Sequence, residues 1–351
     1  MADRFFWCPV CEALHNAEGS LPDTCPLKDG KSSRPDSHET LWEGGTSKRR
    51  PAFEVGALID GRYEVEGRVG EGGMGTVYQA RDLRTTRVVA LKTVNGMFNA
   101  DTHAGKRFLR EAQVMAALTH PGVVRVYDFG VIDAQVAYLV MELLSGLTLG
   151  ARLDQAECLG TEESCSIASQ VLATLSVIHN TGFVHRDLKP ANVFLSDMGN
   201  GRLVKLLDFG LSRETRQSAV RLTNPGTVLG TPHYMSPALV RGAEPSSRSD
   251  VYSVALMLYE MLTGDLPIIF SDEPWIRTFN KILYAPRRHP HELNPAVPAD
   301  LAELLVTALE GDGRYEHAYD FLMAIDATQG GAYMRSELAR FLPPGTPERR
   351  A

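Results

Sequence analysis

The sequence predicts an α+β protein, because strand-like and helix-like patterns follow one another closely along the chain. Residues 77–82 alternate apolar and polar side chains, which is the period of a β-strand with one buried face. The next strand is expected at residues 87–92. After it, the apolar side chains of residues 104–118 recur near helical spacing, so this stretch is expected to form a helix with one apolar face.

A glycine-rich run lies just before the first predicted strand. It reads Gly70-Glu71-Gly72-Gly73-Met74-Gly75. A G-x-G-x-x-G pattern is weak evidence by itself, since it also opens dinucleotide-binding folds and ordinary turns. Here the run leads into a strand rather than a helix, which favours a hairpin lid. Glycines in such a lid allow the backbone to approach phosphate oxygens without interference from a Cβ atom.

A lysine ends the second predicted strand, and a single acidic residue lies in the helix that follows. Lys92 closes a Val-Ala-Leu-Lys run, a close variant of a phosphate-gripping signature. A lysine at a strand end is often only a solvated surface charge, but its distance from the glycine run favours contact with the α- and β-phosphates of a nucleotide. A buried ammonium needs a carboxylate partner. Glu111 is therefore expected to form an ion pair with Lys92.

Two short runs further along carry the chemistry. The first, residues 185–192, reads His-Arg-Asp-Leu-Lys-Pro-Ala-Asn, and the second, residues 208–210, reads Asp-Phe-Gly. Together they supply two carboxylates, a lysine and an amide, which are the groups needed to hold a metal-bound nucleotide against a hydroxyl. Their order, their spacing and the phenylalanine match a protein-kinase catalytic loop and metal loop.

With these motifs in family order, the stretch from about residue 62 to residue 325 resembles a eukaryotic-type serine/threonine protein kinase, most like those found in bacteria. The resemblance implies a two-lobed protein kinase fold over residues 62–328. A small β-rich N-lobe with a helix C is expected over about 62–141, and a large, mainly helical C-lobe over about 145–328. Helices in that lobe are expected over residues 149–180, 254–262, 301–309 and 319–325.

The resemblance also implies roles for individual residues. Asp187 corresponds to the catalytic base that orients the substrate hydroxyl and accepts its proton. Lys189 is expected near the γ-phosphate, and a lysine at this position accompanies specificity for serine and threonine. Asn192 and Asp208 resemble the two Mg²⁺ ligands, so ATP and Mg²⁺ are the expected cofactors.

The same resemblance implies a nucleotide pocket. Phosphates are expected to contact the glycine-rich residues Gly70, Glu71, Gly72, Gly73 and Gly75, together with Lys92. Adenine is expected between Val77, Ala90 and Phe194, beside the gatekeeper Met141 and the hinge backbone of Glu142 and Leu144.

An activation loop is expected from Asp208 to about Pro237, where the chain is polar and rich in Ser, Thr and Arg. A phosphate on this loop could pair with Arg186, which precedes the catalytic aspartate, and so order the segment. Thr231 is expected to bond Asp187 and Lys189 as a structural residue. The expected phosphorylation sites are Thr223 first, Thr227 second and Ser218.

Three positions depart from the family pattern. Ala238 stands where a glutamate usually pairs with a late arginine, and Arg314 resembles that arginine, so it would need another partner. Ala255 replaces a usual glycine, and the Asp-Pro pair that normally comes just before the late arginine is absent. Loss of the acidic partner of a buried arginine typically costs ~3–5 kcal/mol. We expect these changes to affect C-lobe stability and activation-segment anchoring rather than ATP or Mg²⁺ contacts.

The N-terminal segment, residues 1–50, carries a second hypothesis. Cys8 and Cys11 form a Cys-Pro-Val-Cys run that resembles a zinc-ribbon knuckle, and Cys25-Pro26 follows it. Lys28 stands where a fourth cysteine belongs, so the pattern is incomplete. Zn²⁺ binding by these cysteines, a redox pair and plain cytosolic thiols remain as alternatives. The fourth zinc ligand could come from His15, His38 or Asp29.

Composition limits the location and partners of the protein. The formal net charge of −7 gives no sign of a nucleic-acid surface. No apolar run is long enough to span a bilayer, and no signal peptide is seen. Because only a tail, residues 329–351, follows the kinase-like region, we expect a cytoplasmic protein. The expected partners are protein substrates and a second copy for trans-autophosphorylation.

Two functional classes fit this sequence. The first is an active Ser/Thr kinase, and the second is a kinase-fold scaffold that signals without phosphoryl transfer. Inactive relatives usually lack one of the residues equivalent to Lys92, Asp187 or Asp208. This chain retains all three, which favours the enzyme.

Overall fold

The computed structural model of the protein describes residues 5–8, 13–16, 53–72, 75–94, 112–132, 136–197, 202–208, 232–271 and 274–328. The chain divides into two compact units, Met1–Pro51 and Ala52–Ala351. In the first unit, strand β1 (Phe5–Cys8) pairs antiparallel with β2 (Ala13–Asn16). Cys11, Cys25 and the side chain of Cys8, the expected zinc ligands, lie outside the described residues.

The second unit begins with a six-stranded antiparallel sheet, the core of the N-lobe. Its strands are β3 (Leu58–Ile59), β4 (Tyr63–Gly72), β5 (Gly75–Asp82), β6 (Val88–Val94), β7 (Val126–Ile132) and β8 (Val136–Glu142). Their spatial order is β3-β4-β5-β6-β8-β7. The two predicted strands are confirmed as β5 and β6.

The glycine-rich run forms the expected hairpin between β4 and β5. Gly72 pairs with Gly75 across it, and the residues between them lie outside the described ranges. A helix (α1) occupies residues 112–117 and confirms the C-terminal part of the helix predicted over 104–118. The rest of that helix, with Glu111, lies outside the described residues.

Alternation along the sheet places three of its tyrosines on one face. Tyr63, Tyr78 and Tyr138 are at most 2% exposed and pack with Leu91 and Val140 into a core that belongs to the N-lobe. Residues that alternate with these side chains lie on the other face of the sheet. The sheet therefore has one face closed by its own core and a second face left for the cleft.

Helices dominate the C-lobe. They are α2 (Leu149–Leu153), α3 (Thr161–Asn180), α4 (Pro237–Val240), α5 (Ser247–Thr263), α6 (Trp275–Tyr284), α7 (Pro290–Leu293), α8 (Ala299–Ala308) and α9 (Ala318–Asp326). A three-stranded sheet of order β11-β10-β9 is formed by β9 (Gly146–Thr148), β10 (Val193–Asp197) and β11 (Arg202–Leu206).

The helix predicted over residues 149–180 is interrupted, because residues 154–160 connect two separate helices. Within the connection, the amide of Leu159 donates to the carbonyl of Met261 on α5, with an N–O distance of 2.6 Å. Gly160 then takes the N-cap position of α3 in an extended conformation. A contact between distant segments therefore decides where the second helix begins.

Candidate active site

The hairpin formed by β10 and β11 brings the two expected metal ligands together. Asn192 directly precedes β10, and Asp208 follows β11 by two residues. The strands pair with Val193 opposite Leu206, and the Leu207 amide donates to the Asn192 carbonyl across 2.9 Å. Antiparallel pairing thus places an amide and a carboxylate, distant along the chain, at one end of a rigid hairpin.

The backbone at Asp187 is tied to the same end of the hairpin. The amide group of Asn192 donates through Nδ2 to the carbonyl of Asp187 (2.7 Å) and to its carboxylate Oδ2 (3.2 Å). Lys189 Nζ lies 3.3 Å from the same Oδ2 atom. Asp187 is 7% exposed, so its carboxylate is held in a defined position between an amide and an ammonium.

Lys92 connects the N-lobe sheet to the metal loop. Its Nζ atom lies 2.5 Å from Oδ2 of Asp208, and both side chains are largely buried. The expected pair with Glu111 falls on a residue outside the described ranges. The partner of Lys92 seen within those ranges is therefore the metal-loop carboxylate, which joins the two lobes across the cleft.

His185 packs behind the site as a neutral side chain. It is fully buried, and this burial lowers the pKa of its imidazole. The Asp187 amide donates to Nδ1 across 3.4 Å, so Nε2 carries the proton and donates to the Leu207 carbonyl across 2.8 Å. The ring thus links the catalytic loop to the residue before Asp208.

Asp250 is a site residue to which the sequence analysis gave no role. It lies in the first turn of α5, is 2% exposed, and accepts the backbone amides of His185 (2.7 Å) and Arg186 (2.9 Å). His179 Nε2 lies 2.9 Å from the same carboxylate. The available signal was an acid directly before the apolar run of this helix, because a buried carboxylate requires donors.

The expected adenine-binding side chains lie on two sheets. Val77 pairs directly with Lys92, and Ala90 pairs with Met141, so these four residues share the face of the N-lobe sheet opposite its aromatic core. Phe194 lies on β10 of the C-lobe sheet and is half-buried. An adenine ring between them would be enclosed by apolar groups from both lobes.

The lid residues are placed at the edge of this face. Gly70 pairs with Val77, and Glu71 is exposed and forms an ion pair of 3.0 Å with Arg68. Gly73 lies outside the described residues. Gly70 and Gly75 therefore present only backbone groups to a phosphate, as expected for a lid.

The segment between the lobes begins at the end of β8. Glu142 is half-buried, and its amide donates to the Arg125 carbonyl across 2.9 Å. Leu144 follows in a short irregular connection to β9 and is also half-buried. Both residues thus follow Met141 closely along the chain, in the segment expected to form the hinge.

The donor set fits Mg²⁺ rather than a metal that needs a complete protein cage. Nδ2 of Asn192 is used by Asp187, which leaves the amide oxygen for a cation, and Asp208 adds a carboxylate. Mg²⁺ is usually held by one or two carboxylates, with substrate phosphates and water completing the octahedron. Within the described ranges, no group of three or more His, Cys, Asp or Glu side chains is arranged for a metal ion.

Much of the activation segment, residues 209–231, lies outside the described residues, with Phe209, Ser218, Thr223, Thr227 and Thr231. Beyond it, Tyr234 donates through its hydroxyl to Glu260 across 2.7 Å, and its carbonyl accepts from Ser253 across 2.8 Å. Both partners belong to α5. The C-terminal end of the segment is therefore anchored on the helix that also carries Asp250.

Arg314 was expected to carry a cost for its missing acidic partner only if it were buried, and that condition is not met. Arg314 is exposed, so water solvates its guanidinium and no buried-charge cost arises. A different ion pair joins these segments: Arg241, after α4, contacts Asp312 in the loop before Arg314. The alanine at position 238 thus lies near a solvent-exposed ion pair, in which the base follows α4 and the acid lies in the loop before Arg314.

The family follows from comparison with known proteins. The model for the protein kinase domain matches residues 63–314. The chain belongs to this family. Its two-lobed α+β architecture, with a β-rich N-lobe and a helical C-lobe, is that of a protein kinase.

Relatives of this kinase domain come from several bacteria. The chain is 35% identical over 268 residues to the serine/threonine-protein kinase PrkC of Bacillus subtilis, covering 76% of this chain and 40% of PrkC. It is 41% identical over 211 residues to PknL of Mycobacterium tuberculosis, covering 60% of this chain and 51% of PknL. The crystal structure of the PknI kinase domain of M. tuberculosis is 27% identical, with a TM-score of 0.61, covering 78% of this chain and 98% of that domain.

The kinase domain accounts for only part of the curated relatives. The chain spans 40% of the length of PrkC, and the part of the chain that the structure describes contains no helix long and apolar enough to cross a bilayer. What these relatives share with the chain is therefore the kinase domain itself.

Proposed function

We propose that the protein is a serine/threonine protein kinase that transfers the γ-phosphate of ATP to Ser and Thr hydroxyls, including its own. The observation that carries this proposal is the convergence of Asp187, Lys189 and Asn192 with Asp208 and Lys92 at one end of the β10–β11 hairpin. The identity of the chain with bacterial Ser/Thr kinases supports it.

The chemistry requires positioning and charge neutralisation more than covalent catalysis. Asp187 orients the substrate hydroxyl and accepts its proton on a carboxylate oxygen, while the hydroxyl oxygen bonds to the γ-phosphorus and the bond from that phosphorus to the bridging oxygen of the ADP leaving group breaks. Lys189, beside that carboxylate, and Lys92 offset the negative charge on the transferring group and on ADP. Asn192 and Asp208 would hold Mg²⁺, which would supply positive charge to neutralise the phosphates.

The test is Mg²⁺-dependent autophosphorylation with labelled ATP. Asp187→Asn retains the shape of the side chain but removes the proton acceptor, so we expect phosphate incorporation to fall by about 10²-fold or more. Asp197→Asn is the matched control, because Asp197 is exposed at the end of β10. It is expected to behave as the wild type.

The outcome that contradicts the proposal is equally direct. Wild-type protein that is folded and binds ATP, yet transfers no phosphate to itself or to a generic basic protein, would favour the kinase-fold scaffold. Retention of wild-type incorporation by Asp187→Asn would remove Asp187 from the catalytic role.

We infer, as a separate proposal, that the N-terminal unit binds Zn²⁺ through Cys8, Cys11 and Cys25. The support is the antiparallel pairing of β1 and β2 around a Cys-x-x-Cys run, since a knuckle lies on such a hairpin. Metal analysis of protein purified without added zinc decides this. A zinc content near zero would exclude it.

The proposed kinase acts on protein substrates in the cytoplasm, and two copies meet for phosphorylation in trans. Lys189 supports selection of Ser and Thr hydroxyls, and the catalytic loop needs no nucleic acid or membrane partner. Incubation of the inactive Asp187→Asn chain with wild-type protein tests transfer between copies, and cell fractionation tests the location.

A further inference from the structure

A partly buried ion pair lies at the point where the chain passes between the lobes. Lys205 on β11 extends its Nζ atom to Oε1 of Glu142, the last residue of β8, across 2.6 Å. The same oxygen accepts the backbone amide of Arg125 across 2.8 Å. We call these three groups, Lys205, Glu142 and the Arg125 amide, the hinge latch.

The latch is held firmly on the C-lobe side. Lys205 is only 9% exposed, and its neighbours on β11, Val204 and Leu206, are at most 1% exposed on the opposite face of the strand. A buried ammonium is costly unless it is paired. Lys205 therefore cannot withdraw from Glu142 without either exposing its charge or moving the strand.

The register of the small sheet places the latch beside the floor of the adenine pocket. Lys205 lies directly opposite Phe194, which lies opposite Thr148 on β9, so the three side chains share one face. Three residues after Lys205 comes Asp208. The latch lysine is thus the cross-strand neighbour of Phe194, the expected floor of the pocket. The strand that carries this lysine leads on to the metal-loop carboxylate.

On the N-lobe side, the latch holds the hinge backbone. Glu142 is fixed twice to Arg125, by its amide to the carbonyl (2.9 Å) and by its carboxylate to the amide. Its ion pair with Lys205 adds the contact to the other lobe. The latch therefore joins the backbone expected to bond the adenine edge to the sheet expected to support the adenine ring.

We propose that Lys205 is a positioning residue that sets the distance between the hinge backbone at Glu142 and the floor at Phe194, and thereby the affinity for adenine nucleotides. This inference rests on the proposed function, since it requires a nucleotide in that pocket. It differs from that function because Lys205 contacts a hinge side chain instead of the phosphates or the metal.

The test measures nucleotide binding separately from phosphoryl transfer, on the full chain. Lys205→Met keeps most of the length of the side chain but removes its charge, and we expect the Kd of a fluorescent ADP analogue and the KM for ATP to rise by about tenfold, since small misplacements of a binding group have effects of that order. The value of kcat is expected to stay within about twofold, because the catalytic loop is not in the latch. Lys205→Arg retains a cation and is expected to restore most of the affinity.

A matched control separates positioning from general stability. Arg152 forms a partly buried pair of 3.0 Å with Glu163 between α2 and α3, away from the expected nucleotide pocket. Arg152→Met is expected to lower the melting temperature without changing the Kd of the ADP analogue. A Kd for folded Lys205→Met within twofold of the wild type would overturn the latch, as would a rise in kcat with an unchanged KM. Wild-type protein that binds no ADP would instead overturn the proposed function.

Discussion

The backbone of Arg186 has a φ of 71°, in the left-handed region that residues with a Cβ atom rarely adopt. Such a conformation costs on the order of 1–3 kcal/mol and persists only where surrounding contacts impose it. Here the contact is Asp250, whose two carboxylate oxygens accept the amides of His185 and Arg186. The strained turn places the next residue, Asp187, where Asn192 and Lys189 meet it.

At this scale we predict that Asp250→Asn impairs phosphoryl transfer. An asparagine offers one acceptor oxygen instead of two, so one amide of the loop loses its bond and Asp187 is less well oriented. We expect kcat to fall by on the order of 10²-fold. The KM for ATP is expected to change little, and steady-state autophosphorylation kinetics measure both.

Asp320→Asn provides the control for Asp250→Asn, because Asp320 is also an acid in the first turn of a helix, α9, but is exposed. It is expected to have wild-type kinetics. If both variants lose the same small amount of activity, Asp250 has only a general effect on its helix.

Single residues also show how much of the site could be predicted from the sequence. Asp187, Asn192 and Asp208 were predicted because their motifs are local, and the structure brings them together on one hairpin. Asp250 was not assigned, since its partner His185 lies 65 residues away along the chain. The exposure of Arg314 was left open, because exposure depends on what packs above a residue.

At the scale of elements, helix α5 forms a central part of the C-lobe core. It is buried over most of its length, begins with a capping box at Ser246 and Ser249, and ends at Gly264 with a φ of 80°. At Gly264 a Cβ atom would lie 2.1 Å from the carbonyl oxygen of Glu157. Glycine is therefore required there for both its backbone conformation and its size.

We predict that Gly264→Ala destabilises the protein more than Gly242→Ala does. Gly242 has a similar φ of 88°, but no atom lies within 4 Å of the position that a Cβ atom would occupy. Alanine at position 242 therefore carries only the left-handed strain of about 1–2 kcal/mol. At Gly264 the collision with Glu157 adds to that strain. Urea unfolding measures both variants, and equal losses of unfolding free energy would contradict the steric explanation.

At the scale of the whole molecule, a network of ion pairs connects separate strands of the N-lobe. Arg62 binds Asp82 through Nε (2.9 Å) and Nη2 (2.8 Å), and reaches Asp128 on β7 across 2.7 Å. The Arg62 guanidinium, followed by bonds from Thr85 and Arg84, holds the pKa of the Asp82 carboxyl well below its usual range. One side chain therefore links the interior strand β5 to the edge strand β7, which are not neighbours in the sheet.

This network predicts a pH dependence of stability. Because the folded pKa of Asp82 lies below its unfolded value of about 4, the pair stabilises the fold above that pH, and the contribution is lost as the pH falls below it. We expect Asp82→Asn to reduce the unfolding free energy at pH 7 and to flatten its decline below about pH 4. Urea unfolding across this pH range measures both effects.

Glu64→Gln is the control for Asp82→Asn, because Glu64 lies on the neighbouring strand β4 and is exposed. It is expected to retain the acid dependence of the wild type. An unchanged acid profile in Asp82→Asn would show that other carboxylates account for the loss of stability.

The sequence by itself determined the order of the motifs, the strands around the glycine hairpin and the residues that are expected to carry the chemistry. These features are local, since strand alternation, glycine turns and catalytic runs are each complete within a few neighbouring residues. The tertiary structure alone decided the Asp250 contacts, the exposure of Arg314 and the latch between Lys205 and Glu142, which are 63 residues apart. Such contacts form only when the packing of distant segments brings two polar groups close together. No local sequence pattern encodes this proximity.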